Sequence, residues 1–201
     1  MYRLIKLFIY IICFTTSNAL LAETNVSVFT GYRFGGEFEE VGTNRKLEIK
    51  ETVSNGVSVD WSHSNNTMYE VVYSHQETQL LNGNASSDVL IDLNIDYLHI
   101  GGTYLWPGDK VRPYLVGTLG LTHFNPTQGG YNSKTRGSLG IGFGSQVKLT
   151  ERLGLLFEAR GYATIFNSGS VTFCGNSGCK IFISSDTLWQ TEIKAGLTYK
   201  F

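Results

Sequence analysis

The last fourteen residues, Leu188 to Phe201, alternate without interruption. Trp189, Thr191, Ile193, Ala195, Leu197, Tyr199 and Phe201 hold the odd positions, and Gln190, Glu192, Lys194, Gly196, Thr198 and Lys200 the even ones. A period of two places these two sets on opposite faces of a β-strand, one apolar and aromatic, the other polar and charged. Such a strand separates two unlike surroundings. A half-buried strand of a soluble sandwich meets that condition, and so does a membrane-spanning strand with lipid outside and a polar interior. The remainder of the chain decides between them.

The amino-terminal end carries Arg3 and Lys6, then the apolar run Leu7 to Phe14, then small residues at Ser17-Asn18-Ala19 and Ala22. This is the layout of a secretory signal peptide. Its apolar core is shorter than the roughly 20 residues that a spanning helix requires. Cleavage is expected after Ala22, with Ala19 as the alternative, so residues 1–22 form the leader and 23–201 the exported domain. About 179 residues remain, a single-domain length. Loss of Arg3 and Lys6 leaves 14 basic against 17 acidic residues, which gives no reason to expect a nucleic-acid partner. No later stretch approaches 18 consecutive apolar residues, so a helical span is excluded. An exported chain without such a helix is either soluble or a barrel in an outer membrane.

From Val26 onward the alternation returns in segments of about ten residues, as in membrane barrels. The predicted strands begin with Asn25–Phe34, a segment ending in Val57, Val59 and Trp61, and a segment carrying Tyr69, Val71 and Tyr73. Leu93–Trp106, Val111–Phe124, the Gly-rich segment from Arg136 to Leu149, Leu153–Phe166 and the terminal strand follow. In Leu93–Trp106 the apolar set changes parity: Leu93, Ile95 and Tyr97 share one, Leu98, Ile100, Tyr104 and Trp106 the other. A bulge near Tyr97 or an extension beyond the bilayer would reconcile them.

The connections 62–67, 107–110 and 150–152 are short, and 35–52, 76–92, 125–134 and 167–186 are long. They alternate strictly, as short periplasmic turns and long outer loops do in an up-and-down barrel. The fold class read from the chain is therefore all-β, an eight-stranded antiparallel transmembrane β-barrel. Trp61, Tyr104, Trp106 and Trp189 are the expected aromatic girdle residues.

The stretch Asp96-Tyr97-Leu98-His99-Ile100-Gly101-Gly102-Thr103-Tyr104, the segment Val111-Arg112-Pro113-Tyr114-Leu115 and the Gly-rich sixth strand resemble the small outer-membrane β-barrel proteins of Gram-negative bacteria, of the OmpA/OmpX and OmpW types. The resemblance spans the mature chain. It implies an outer-membrane location, contact with membrane lipids and lipopolysaccharide, and insertion by the barrel-assembly machinery. Leu197, Tyr199 and Phe201 would be the C-terminal assembly signal for that machinery. As to role, it implies a membrane anchor, an adhesin, a narrow conduit or, in some members, a lipid-modifying enzyme.

Candidate site residues follow from the inward parity. Arg33, Asp60, Glu70, Arg112, Arg136, Lys148, Glu158, Arg160, Glu192 and Lys194 are read as lumen charges, with Arg160–Glu192 and Glu158–Lys194 as cross-strand pairs. Gly140, Gly142 and Gly144 are read as room for Tyr162, Arg160 and Glu158. An eight-stranded barrel is just wide enough for side chains to fill it, so a plugged interior with function in the outer loops is expected. A narrow channel for small or hydrophobic solutes is the alternative.

Cys174 and Cys179 bracket Gly175-Asn176-Ser177-Gly178 and are expected to form a disulfide, as in exported proteins. An enzymatic reading rests on His63-Ser64-Asn65, compared with lipid A deacylases. Adjacent His and Ser face opposite sides of a strand, so no catalytic residue is assigned. His75, His99 and His123 stand singly, and no metal or cofactor is expected.

Overall fold

The computed structural model describes residues 23–39, 46–83, 89–127, 132–166, 171–175, 178–183 and 187–201, and of residues 38, 39, 46, 171–175 and 178–183 the backbone alone. The predicted signal peptide lies outside the described residues. Among the described residues twelve strands occur: β1 (Thr24–Phe34), β2 (Glu37–Glu39), β3 (Lys46–Ile49), β4 (Thr52–Ser62), β5 (Thr67–Asn82), β6 (Val89–Leu105), β7 (Val111–Pro126), β8 (Lys134–Lys148), β9 (Leu153–Ile165), β10 (Val171–Gly175), β11 (Gly178–Ile183) and β12 (Thr187–Lys200). Eight of them, β1, β4 to β9 and β12, form a closed antiparallel barrel. Closure comes from β1 pairing with both β4 and β12, Arg33 standing opposite Glu192 in the latter register.

The predicted parities hold along β1, β4, β5, β7, β8, β9 and β12. Val28, Tyr32, Val57, Leu119, Ile141, Phe157 and Ile193 stand on the outer face, while Ser27, Arg33, Ser58, Glu70, Thr118, Glu158 and Glu192 are buried inside. Lipid offers no hydrogen-bond partner to a backbone, and a closed ladder leaves no edge group unpaired in that zone. The outer aromatics cluster as expected of interfacial side chains: Tyr104 and Trp106 meet edge to face at 5.3 Å, and Trp61 and Tyr69 lie 5.9 Å apart.

Two predicted connections differ. The segment 76–92, read as a loop, is largely strand, because β5 runs to Asn82 and β6 begins at Val89. The outward residues in and beside it, His75, Glu77 and Gln79 on β5 and Asp92, Asn94 and Asp96 on β6, are polar. The strands therefore continue beyond the lipid, where the outward face meets water and an apolar-out pattern is lost. The segment 35–52 holds the β2–β3 hairpin, and β3 takes over as partner of β5 at Leu80 to Asn82 where β4 has ended. The chain turns into this hairpin at Gly35 and Gly36, with φ of 82° and 106°. A Cβ at Gly36 would also meet the Ile49 and Leu188 side chains.

The parity change in β6 is resolved without a bulge near Tyr97; the register against β5 shifts only at the start of the strand, where Leu80 and Leu81 face Ile91 and Val89. Its pairing with β7 runs evenly from Leu93 to Leu105. Leu98, Ile100 and Tyr104 face lipid, whereas Ile91, Leu93, Ile95 and Tyr97 point inward. Together with Leu47, Ile49, Leu80, Phe124, Tyr162, Phe166 and Leu188 they form an apolar cluster inside the outer end of the barrel. A smaller cluster of Met68, Leu105, Tyr114, Val116 and Leu156 occupies the end that carries the short turns.

The β8 glycines also differ in their reason. Gly140, Gly142 and Gly144 do oppose Tyr162, Arg160 and Glu158, but the side chains occupying the space belong mainly to β7. A Cβ on Gly144 would strike the β9 carbonyl of Phe157 and stand 2.6 Å from the Tyr114 ring, one on Gly142 would stand 2.9 Å from the Ala159 carbonyl and 3.1 Å from Val116, and one on Gly140 would strike Thr118. Gly144→Ala should therefore push against the Phe157 carbonyl and displace Tyr114, and cost about 1–3 kcal/mol, measured by urea unfolding in detergent. For β6, a fluorophore on Cys at position 100 should be quenched by brominated lipid and one at position 95 should not. Equal quenching would contradict the unbroken register.

Candidate functional site: the barrel lumen

Inside the barrel the side chains stand in layers. Next above the short-turn apolar cluster comes a four-membered ionic group. Arg160 spans the lumen from β9, its Nη2 lying 2.9 and 3.0 Å from the carboxylate oxygens of Glu70 on β5. Its Nε and Nη2 also donate to Glu158, two residues back on its own strand. Lys194 Nζ completes the group at 2.9 Å from Glu158 Oε1 and sits 4.1 Å from the centroid of the Phe29 ring. The Tyr114 hydroxyl donates to Glu158 Oε2 at 2.7 Å. All four charged side chains are buried.

The next layer is built around Arg33. Its Nη2 lies 2.7 Å from Glu192 Oε1, and Ser74 Oγ donates to the same oxygen at 2.9 Å. Tyr162 donates its hydroxyl to the other oxygen at 3.2 Å. The guanidinium lies over the rings of Tyr97 and Tyr162, which stack with centroids 4.2 Å apart. His99 packs edge-on against both rings, and its nitrogens meet Thr118 Oγ1 at 2.9 Å and Ser138 Oγ at 2.8 Å. Beyond this layer lies the outer apolar cluster.

The expected Glu158–Lys194 contact is present. The expected Arg160–Glu192 contact is replaced: the two residues oppose one another in register, but Glu192 turns to Arg33, its opposite number across the closure. Glu192 has a neighbour on each side, and only closure of first strand against last reveals the second. Three residues expected in the network stand apart from it. Arg112 donates to the Asn65 carbonyl at 3.1 Å, Arg136 donates to the Thr135 carbonyl at 3.3 Å, and Lys148 pairs with Glu151 at 2.9 Å. Each lies near a strand end, where the barrel opens to water and a charge does not need an interior partner.

Asp60 is a buried lumen carboxylate that accepts from Ser58 at 3.3 Å. Tyr97 and His99 carry a large share of the closure, and their roles were not read from the sequence.

The other candidates are placed as follows. The Ser64 hydroxyl bonds Thr67 Oγ1 at 2.6 Å in an exposed turn, and the His63 ring lies against Tyr69, so the pair forms no nucleophile and base. His75, Asp96 and His123 form one row across β5, β6 and β7. His75 Nδ1 is 2.6 Å from Asp96 Oδ1, and His123 bonds Thr135. Among the described residues no group of three such side chains is placed to hold a metal ion. Cys174 and Cys179 oppose one another in the β10–β11 hairpin. Their side chains, and with them the expected disulfide, lie outside the described residues.

The sequence model for the outer membrane protein beta-barrel domain matches residues 14–201. No curated protein matches the chain. Among solved structures, OprG from Pseudomonas aeruginosa superposes with a TM-score of 0.61 at 15% identity, over 90% of this chain and 96% of that one. Neisserial surface protein A gives 0.59 at 18% identity over 89% and 97%. AlkL, determined by solid-state NMR in DMPC bilayers, gives 0.53 at 13% over 89% and 90%. At these identities the likeness is one of fold.

Removing one partner of a buried ion pair strands the other, at a cost of about 3–5 kcal/mol. Glu192→Ala should show a loss of that size in unfolding experiments. A double-mutant cycle with Arg33→Met and Glu192→Gln should return a coupling of about 1.5 kcal/mol or more, larger than the cycle of Arg160→Met with Glu192→Gln. The reverse order would mean that Glu192 belongs to Arg160 after all.

Proposed function

The chain belongs to the outer membrane protein β-barrel domain family and resides in the outer membrane, and on that premise we propose that it is a closed, non-conducting barrel whose biological surface is the set of long outer connections. The observation that carries this reading is the lumen itself. Glu70, Glu158, Arg160 and Lys194 cross it in one layer, and Arg33, Glu192, Tyr97, Tyr162 and His99 in the next, none of them more than 5% exposed. A hydrated ion moving along the axis would have to displace both. The ionic groups are held from several strands at once, so no single rotamer change opens a path.

A conduit for apolar solutes would use the apolar interior of the outer end. That interior is filled by its own side chains, from Leu47 and Ile49 through Ile95 to Leu188. Catalysis would call for a nucleophile beside a base within reach of substrate: the His63-Ser64 segment supports none, and Ser138, 2.8 Å from His99, is buried with it inside the lumen. The outer connections, rich in Gly, Asn, Ser and Thr, remain as the place where a scaffold of this kind carries its binding residues. We also assign Leu197, Tyr199 and Phe201 to recognition by the assembly machinery. They share the lipid-facing parity of β12, Phe201 is 75% exposed, and its ring meets Tyr199 at 4.9 Å.

Protein extracted from outer membranes and placed in a planar bilayer should show no steady single-channel conductance. Arg160→Ala should also be silent, because the Tyr97–Tyr162 layer and both apolar clusters stay in place. Steady conductance in the unmodified protein would overturn the reading and make this a channel.

A further inference from the structure

At the short-turn end, which an outer-membrane barrel directs to the periplasm, the lumen opens into a cavity of about 510 Å³. All three short turns and both ends of the barrel chain contribute to its wall. Its charge runs against that of the protein. The whole chain has 16 basic and 17 acidic residues, but the cavity is lined by five cations, Lys110, Arg112, Lys148, Arg152 and Lys200, and by three carboxylates, Glu23, Asp109 and Glu151.

Two of those carboxylates are engaged. Glu151 accepts from Lys148 at 2.9 Å, and Glu23 lies 2.7 Å from Lys200 Nζ. The hydrogen bond and charge of Lys148, with a further contribution from Lys200, hold the Glu151 carboxyl below its ordinary range. The fields of cations from separate strands thus meet in this space. Lys110, Arg112 and Arg152 remain, against Asp109 alone. Arg112 is held across the mouth by its bond to the Asn65 carbonyl, a neutral partner that leaves its charge uncompensated.

Concave walls concentrate such a field on whatever enters. The Gln146 amide lines the same space beside the charges, while Asn25, Asn66 and Thr198, also in its wall, are engaged with Met68, the Leu105 carbonyl and Ser27. We propose that this vestibule binds a multivalent oxyanion, a phosphate or carboxylate group presented on the periplasmic side, with Lys110, Arg112 and Arg152 as its charge partners. Guanidinium and ammonium groups offer charge-assisted donors to such oxygens. The cations come from different segments, so a ligand with two anionic groups fits better than one with a single charge. The group can reach the vestibule on a soluble molecule or on the headgroup of an inner-leaflet lipid.

The test uses protein purified from outer membranes and reconstituted in phosphatidylcholine nanodiscs, titrated calorimetrically with inorganic pyrophosphate. Binding is expected, weakening with added salt as exposed charge interactions do. The double variant K110Q/R152Q, with its fold checked by the heat-dependent gel shift, should bind about tenfold or more weakly. E151Q, which releases Lys148, should bind more tightly than the unmodified protein. Repeating the titration in discs containing phosphatidylglycerol separates the sources. Lowered pyrophosphate affinity there identifies a lipid headgroup as the competing occupant, and unchanged affinity identifies a soluble oxyanion. Absence of binding in phosphatidylcholine discs, or equal affinity in the folded K110Q/R152Q variant, overturns the proposal.

Discussion

The structure depends on the closure of β1 against β12. Within the bilayer a strand edge has no partner other than another strand, so the ladder must return to its start. With eight strands it returns on a small circumference, and the enclosed space has about the width of the side chains that point into it. The interior is then a core, with the composition of a lumen. Among the described residues four carboxylates, Asp60, Glu70, Glu158 and Glu192, and three cations, Arg33, Arg160 and Lys194, are buried there. Closure also decides the pairing, because it places Arg33 opposite Glu192 and frees Arg160 to reach across to Glu70.

Buried ion pairs are a weak source of net stability, since desolvation offsets most of their attraction, but they are expensive to break singly. That asymmetry suits a barrel. Lipid contact tolerates many apolar outer residues, so the outside says little about which residue of one strand should face which residue of the next. The inner groups are selective: Glu158 takes Arg160, Lys194 and Tyr114 together, and Glu192 takes Arg33, Ser74 and Tyr162. A slip of one residue in any of these strands would turn that strand's members of the network toward lipid. The network therefore acts on register and on the packing of the lumen at once.

Much of this was legible in the chain because period two survives wherever lipid and lumen differ. The terminal strand, the Gly-rich β8 and the alternation of short and long connections define the fold without a structure. The reading failed where the two surroundings change. Beyond the bilayer the outward face of β5 and β6 becomes polar while the inward face becomes apolar, so Leu93, Ile95 and Tyr97 appear to contradict Leu98 and Ile100, although one regular strand carries all of them. Arg33–Glu192 was hidden for another reason. The two residues are 159 positions apart, and neighbour-to-neighbour pairing of strands reaches that contact only after the ring has been closed. The inward glycines of β8 are legible as room for β9, whose backbone is indeed nearest at Gly142 and Gly144, but the share taken by Tyr114, Val116 and Thr118 of β7 is not, because the sequence shows which positions are opposite and not how far the side chains of β7 lean across.

The layers also fix what the periplasmic vestibule can be. Its cations face one side of the Met68, Leu105, Tyr114, Val116 and Leu156 cluster, and the ionic group around Arg160 lies on the other. Tyr114 belongs to both, its ring in the apolar cluster and its hydroxyl on Glu158. An anion drawn to Arg112 would meet this apolar cluster on the β5–β9 side and the buried polar Asn25, Ser27 and Thr198 on the other, and behind them Glu70 and Glu158, already engaged with Arg160 and Lys194. The attractive field ends where the passage does. On the proposed reading, a vestibule so arranged would hold an anion at the membrane surface, with the packed lumen behind it.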